Sequence, residues 1–257
     1  MDREWRRSFL ALTVALAAGV ARAQFTEVPQ TVAPGKWLME TDVATVAIDR
    51  HTPARDGVEY RSIYLGYVQL TAGVTESFDV QFGLESWHDE RVQGGGADSH
   101  LSGMGELYLR AKWKFWDDGK GTALALLPYY RVRDTAAKHV RPALDQFGLI
   151  IPFSRPLSER WSLSAMAQND WLDDGSGGRD WWLTANATCL YNAGGRASAY
   201  IEGTTWAQGA RGRWATMAGI GALWQATDRF SWDLALHVGL NRAAPDWHPV
   251  LRFVWEL

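Results

Sequence analysis

The sequence predicts an all-β protein: a transmembrane, antiparallel, up-and-down β-barrel of about twelve strands, following a cleaved signal peptide. Three observations lead there. Segments of about ten residues alternate apolar and polar side chains, the length at which a tilted strand crosses a bilayer. Tight turns and longer polar loops connect these segments in regular succession. The chain of 257 residues also carries 15 tryptophans, most near the ends of the alternating segments, where a membrane barrel places its interfacial rings.

Residues 1–23 read as the signal peptide. Arg3, Arg6 and Arg7 are followed by an apolar run from Phe9 to Val20, and Ala21-Arg22-Ala23 offers a small-x-small cleavage site before Gln24. That run is too short for a membrane helix, and no later stretch approaches ~18 consecutive apolar residues, so a membrane crossing must use strands. Losing four Arg, one Asp and one Glu with the leader moves the net charge from −3 to −5. A mildly acidic chain lacks the basic stripe that a nucleic-acid partner requires. Cys189, the one cysteine, falls on the apolar side of its strand; no intrachain disulfide is possible, and a thiol so placed carries no catalytic signal.

Residues 24–36, with Pro29 and Pro34, precede the strands as a periplasmic tail or as a plug entering the lumen, and residues 37–257 form the barrel. Within it, tight turns fall at Gly73 to Ser77, Trp116 to Gly121, Arg155 to Arg160, Asn192 to Arg196 and Ala226 to Arg229. Three share a pattern, Thr75-Glu76-Ser77-Phe78, Ser158-Glu159-Arg160-Trp161 and Thr227-Asp228-Arg229-Phe230. A hydroxyl followed by a carboxylate closes a turn onto its own backbone, and the aromatic opens the next strand at the interface. Longer segments rich in Gly, Asp, Arg and Pro lie between: Asp49 to Glu59, Asp89 to His100, Arg133 to Arg141, Leu172 to Asp180, Ala207 to Arg213 and Asn241 to Trp247. Short turns belong to the periplasm and long loops to the outside, so this pattern yields twelve strands with both termini periplasmic.

The clearest strands are Leu107 to Phe115, where Tyr108, Arg110, Lys112 and Lys114 interleave with apolar side chains, and Phe230 to Asn241. Alternation is weaker over residues 60 to 72, 121 to 132 and 214 to 225. At the chain end, Leu251, Phe253, Trp255 and Leu257 alternate with Val250, Arg252, Val254 and Glu256. This strand is the expected contact for the outer-membrane insertion machinery, although it ends in Leu rather than an aromatic.

Two blocks resemble a known family. Ser102-Gly103-Met104-Gly105-Glu106-Leu107, with the strand ending Lys112-Trp113-Lys114-Phe115, is similar to a Ser-Gly-x-Gly-Asp segment of the meta-pathway phenol-degradation family of outer-membrane barrels; Glu106 stands where Asp is usual. So is the stretch from Ala226 to Asp233 followed by Gly239 to Asp246. The resemblance implies a bacterial outer-membrane protein that moves small, often aromatic, compounds, with outer-membrane lipids and a small-molecule solute as partners.

Strand parity points Glu85, Glu106, Tyr108, Arg110, Lys112, Lys114, Tyr200, Glu202, Asp233, His237 and Arg252 into the lumen as predicted pore-lining residues. Opposed charges there select polar or aromatic solutes, or else simply pair and fill a narrow barrel, giving a structural or sensory protein with a plugged lumen. Tyr108 and Tyr200 can stack on a solute or fill space. A third reading takes His100-Leu101-Ser102 as the His-x-Ser of an outer-membrane phospholipase, but the Asn-Gly that follows in that family is replaced by Gly103-Met104. No metal, cofactor or nucleophile-elbow motif is present, and neither cofactor nor metal is expected. His51, His88 and His139 fall in expected loops, and Asp173-Asp174-Gly175 reads as a loop tip before it reads as a calcium site.

Overall fold

The computed structural model describes residues 25–50, 59–94, 98–138, 140–174, 176–209, 212 and 214–257. The leader, most of the Asp49 to Glu59 loop, His51 and His139 lie outside the described residues. The strands are β1 (Trp37–Asp49), β2 (Glu59–Thr75), β3 (Phe78–Gln93), β4 (Ser99–Gly103), β5 (Leu107–Asp117), β6 (Ala123–Val132), β7 (Gln146–Pro156), β8 (Trp161–Asp173), β9 (Arg179–Gly194), β10 (Ala197–Gln208), β11 (Ala215–Gln225), β12 (Phe230–Gly239) and β13 (Trp247–Glu256). Each pairs antiparallel with its neighbour, β1 with β13 and β2 with β3 included, so the sheet closes on itself. β4 and β5 both pair with β3, one beyond the other, and form a single barrel strand interrupted at Met104 to Glu106. The result is a closed twelve-stranded barrel, which leaves no open edge in lipid.

Alternation orients every strand. In β12, Ser231, Asp233, Ala235 and His237 are buried while Leu234 and Leu236 are exposed. Outside, Ile201, Ile220 and Leu234 are about as exposed as any apolar residues of the chain, at 61%, 67% and 60%. Trp37, Trp113, Trp116, Trp161, Trp224 and Trp255 ring the turn end, and Trp87, Trp171, Trp181, Trp214 and Trp247 ring the loop end. An apolar belt between two aromatic girdles is stable only in a bilayer. Cys189 is free and pairs on the outer face with Leu163 and Ile201.

The turns use their hydroxyls as local acceptors. Thr75 Oγ1 accepts from Ser77 N at 3.2 Å, Ser158 Oγ from Arg160 N at 3.3 Å and Thr227 Oγ1 from Arg229 N at 3.3 Å.

One loop expectation needs correction. Asp89 to His100 is not a loop throughout, because β3 runs on to Gln93 and β4 begins at Ser99; His88 therefore lies in a strand, stacked on Tyr64 at 4.2 Å. This hairpin rises past the Trp87 girdle, where an outward face no longer meets lipid and carries Asp89 and Arg91 instead of apolar side chains. The weak alternation in residues 60 to 72 also has a cause. Gly66 has φ of 65° and the ladder skips it between Leu65 and Tyr67, so Tyr64 and Tyr67 both turn inward.

Candidate functional site in the barrel lumen

The inward side chains form paired clusters rather than a bare charged wall. Arg131 from β6 meets Glu106 at 2.5 Å and Glu85 at 3.8 Å, and its guanidinium lies 4.8 Å from the centre of the Tyr108 ring. Tyr108 donates to Glu85 at 2.5 Å. Gly105 is required here, because a Cβ on it would lie 2.1 Å from Glu85 Oε2. Across the barrel, Arg252 pairs with Asp42 at 2.5 Å and Tyr200 donates to Asp233 at 2.9 Å. Lys114 sits at the turn-side rim with Asp117, 3.2 Å away.

The remaining predicted residues meet the segment ahead of β1. The backbone N–H of Phe25 donates to both oxygens of Glu202 at 3.2 Å, and Thr26 Oγ1 donates to Oε1 at 2.6 Å. His237 Nε2 lies 2.8 Å from the other oxygen of that carboxylate. Asn186 Nδ2 donates to the Phe25 carbonyl at 2.5 Å. Glu27 pairs with Arg110 and stands 3.8 Å from the fully buried Lys112, which also donates to the Gln30 carbonyl at 3.3 Å. Lower down, Gln30 donates to Ser154 at 2.8 Å, Val32 N to Asp79 at 3.3 Å, and Gly35 N to Gly73 O at 2.9 Å. Residues 25–35 thus run from mid-lumen down to the turn-side end, bonded to β10, β9, β5, β7, β3 and β2 in passing. A buried carboxylate or ammonium is tolerated when each finds such partners.

Above this segment, toward the loops, lies a cavity of about 420 Å³. Phe25 forms its floor, and Tyr60, Tyr64, Met166, Trp206, Met217 and His248 are among its walls. The Phe25 ring packs on His237 at 4.5 Å and on His248 at 5.0 Å. Tyr60 is held by a hydrogen bond to Glu90 at 3.0 Å. Apolar and aromatic walls with a few fixed polar groups suit a small ring-bearing molecule.

Sequence reasoning missed Phe25, Arg131, Tyr60, Tyr64 and Trp206. Arg131 lies in a segment of weak alternation, and the aromatic cavity residues carry no polarity signal of an inward face. Outside the barrel, His100 Nε2 is 2.6 Å from Asp89 Oδ2, and among the described residues no hydrogen bond joins His100 to Ser102. Asp174 accepts from Ser176 N at 2.7 Å and Gly178 N at 3.0 Å, closing its own loop, and no metal-binding cluster occurs among the described residues.

Known proteins share this architecture. An outer membrane channel from Pseudomonas putida F1 superposes with a TM-score of 0.71 at 16% identity, covering 89% of this chain and 98% of that one. The translocator domain of the autotransporter NalP from Neisseria meningitidis gives 0.59 at 11% identity, over 98% and 96% of the two chains. The monoaromatic hydrocarbon channel CymD gives 0.50 at 9% identity, over 88% of each chain. Such identities establish the fold alone, and channels and translocators share it. No curated protein matches the sequence. The closed barrel and its girdled apolar belt place the protein in the bacterial outer membrane. The family model described as "Putative MetA-pathway of phenol degradation" matches residues 21–256, nearly the whole barrel with both motif blocks, and the chain belongs to that family of outer-membrane barrels.

Proposed function

We propose that the protein takes up small aromatic solutes across the outer membrane. They gather in the loop-side cavity and pass down the lumen when residues 25–35 yield. The observation that carries this reading is the cavity itself, lying on the loop side of the tail and walled by Tyr60, Tyr64 and Trp206 over the Phe25 floor. The hydrocarbon channel CymD and the outer membrane channel of Pseudomonas putida F1, similar in fold, lend support. The lining charges fix the tail and the barrel wall, and this reading calls for no covalent step. Insertion proceeds through recognition of β13 by the outer-membrane assembly machinery.

Cells carrying the protein should accumulate a phenol-like compound at lower external concentration than cells without it, and Trp206→Ala should remove most of that gain. Equal accumulation with and without the protein contradicts the proposal. The tail's many bonds favour a second reading, a barrel permanently plugged, which conductance separates from the first.

A further inference from the structure

A row of basic side chains lies on the outer face of the β2–β3–β4 hairpins. Arg61 is paired directly with Arg91, and Arg91 with His100. Their chain neighbours face the lumen, where Tyr60 bonds Glu90 and Ser62 meets His88, so all three basic groups point outward. Arg61 and Arg91, like charges directly opposite one another on a sheet face, destabilise the pairing by up to about 1 kcal/mol. One carboxylate relieves them in part: Asp89 holds His100 at 2.6 Å and Arg61 at 3.8 Å. Arg61 Nε is buried without a hydrogen-bond partner, and the Arg91 side chain feels the Asp89 charge but makes no ion pair or hydrogen bond of its own among the described residues. Glu59, two positions beyond Arg61 on the same face, makes no ion pair among them either.

The row's depth in the membrane identifies what it meets. It lies immediately beyond the exposed Leu65 and Trp87, which pair with each other at the edge of the apolar belt, and level with Trp247 through Ile48. Guanidinium forks at that height face the headgroups of the outer leaflet, and acyl chains would lie against Leu65 and Trp87 below. Planar donors of this kind take phosphate oxygens two at a time.

We propose that Arg61, Arg91 and His100 bind the phosphates of an outer-leaflet phosphorylated glycolipid, lipid A. This does not depend on what the lumen carries. The test is retention of bis-phosphorylated lipid A by the purified full-length protein, followed by native mass spectrometry. Dephosphorylated lipid A and dioleoylphosphatidylglycerol serve as comparison probes. Wild type should retain the bis-phosphorylated form, and the double variant Arg61→Gln/Arg91→Gln should retain it about 30-fold less. Glu59→Gln, which removes a repelling carboxylate, should retain more. Heat-modifiable migration on a gel reports whether each variant is folded; if the double variant is not, Glu59→Gln alone decides, and no gain overturns the proposal. Unchanged retention in a folded double variant overturns it too, as does equal retention of dephosphorylated lipid A or of phosphatidylglycerol.

Discussion

The hydroxyl of Thr26 donates to Glu202 at 2.6 Å, tying a residue ahead of the first strand to β10, 176 residues along the chain. The same carboxylate takes Thr188 at 3.0 Å and His237 at 2.8 Å. Glu202 is therefore the joint at which barrel wall and tail meet, and the floor of the cavity rests on it.

Replacing that joint loosens the tail without dismantling the wall. Glu202→Ala leaves Phe25 N and Thr26 Oγ1 without their acceptor, at a cost of about 3 kcal/mol in unfolding free energy. Urea titration read by heat-modifiable migration measures this, and a midpoint equal to wild type contradicts the assignment.

Gly219 and Gly203 make a matched pair. A Cβ on Gly219 would lie 2.1 Å from His237 Cδ2, whereas one on Gly203 meets nothing within 4 Å. Gly219→Ala should cost about 1–3 kcal/mol by forcing His237 off Glu202, and Gly203→Ala should change stability by less than about 0.5 kcal/mol. Equal effects in the same titration would show that His237 is not locked as described.

Arg131 compensates two carboxylates at once. Arg131→Met leaves Glu85 and Glu106 facing each other and should destabilise by about 3–5 kcal/mol. Adding Glu106→Gln should recover part of the loss, and a purely additive double variant would show that the pair is not coupled.

On the surface, the backbone N–H of Ser176 and then the Ser176 hydroxyl, bonded to Asp174, hold its carboxyl below the usual carboxylate range. A depressed value means that the loop's order is complete above the range of a free carboxyl and is lost as pH falls through the lower folded value. Amide exchange at Ser176 and Gly178, corrected for intrinsic rates, should be slowed near neutrality and released in acid. The same protection at both pH values would sink this account.

Strand count and turn placement were legible in the sequence because polar and apolar residues alternate wherever one face meets lipid. Alternation fades for identifiable reasons. In β11 the inward positions include Gly219 and Gly221, where the His237 and Tyr200 rings occupy the space. In β6 an inward Leu127 packs with Ile150 and Met166, so both faces read as apolar. Partners across the lumen, such as Glu27 for Arg110, are separated by 83 residues, and no local pattern encodes a meeting of that kind.

The central claim is that residues 25–35 close a lumen through which solutes otherwise pass. Single-channel recording in planar bilayers tests it, comparing the full chain with a variant lacking residues 25–34. The full chain should be near silent with brief openings, and the shortened one should show stable, discrete conductance steps. A shortened barrel that stays silent, or a full chain that conducts equally well, would contradict it.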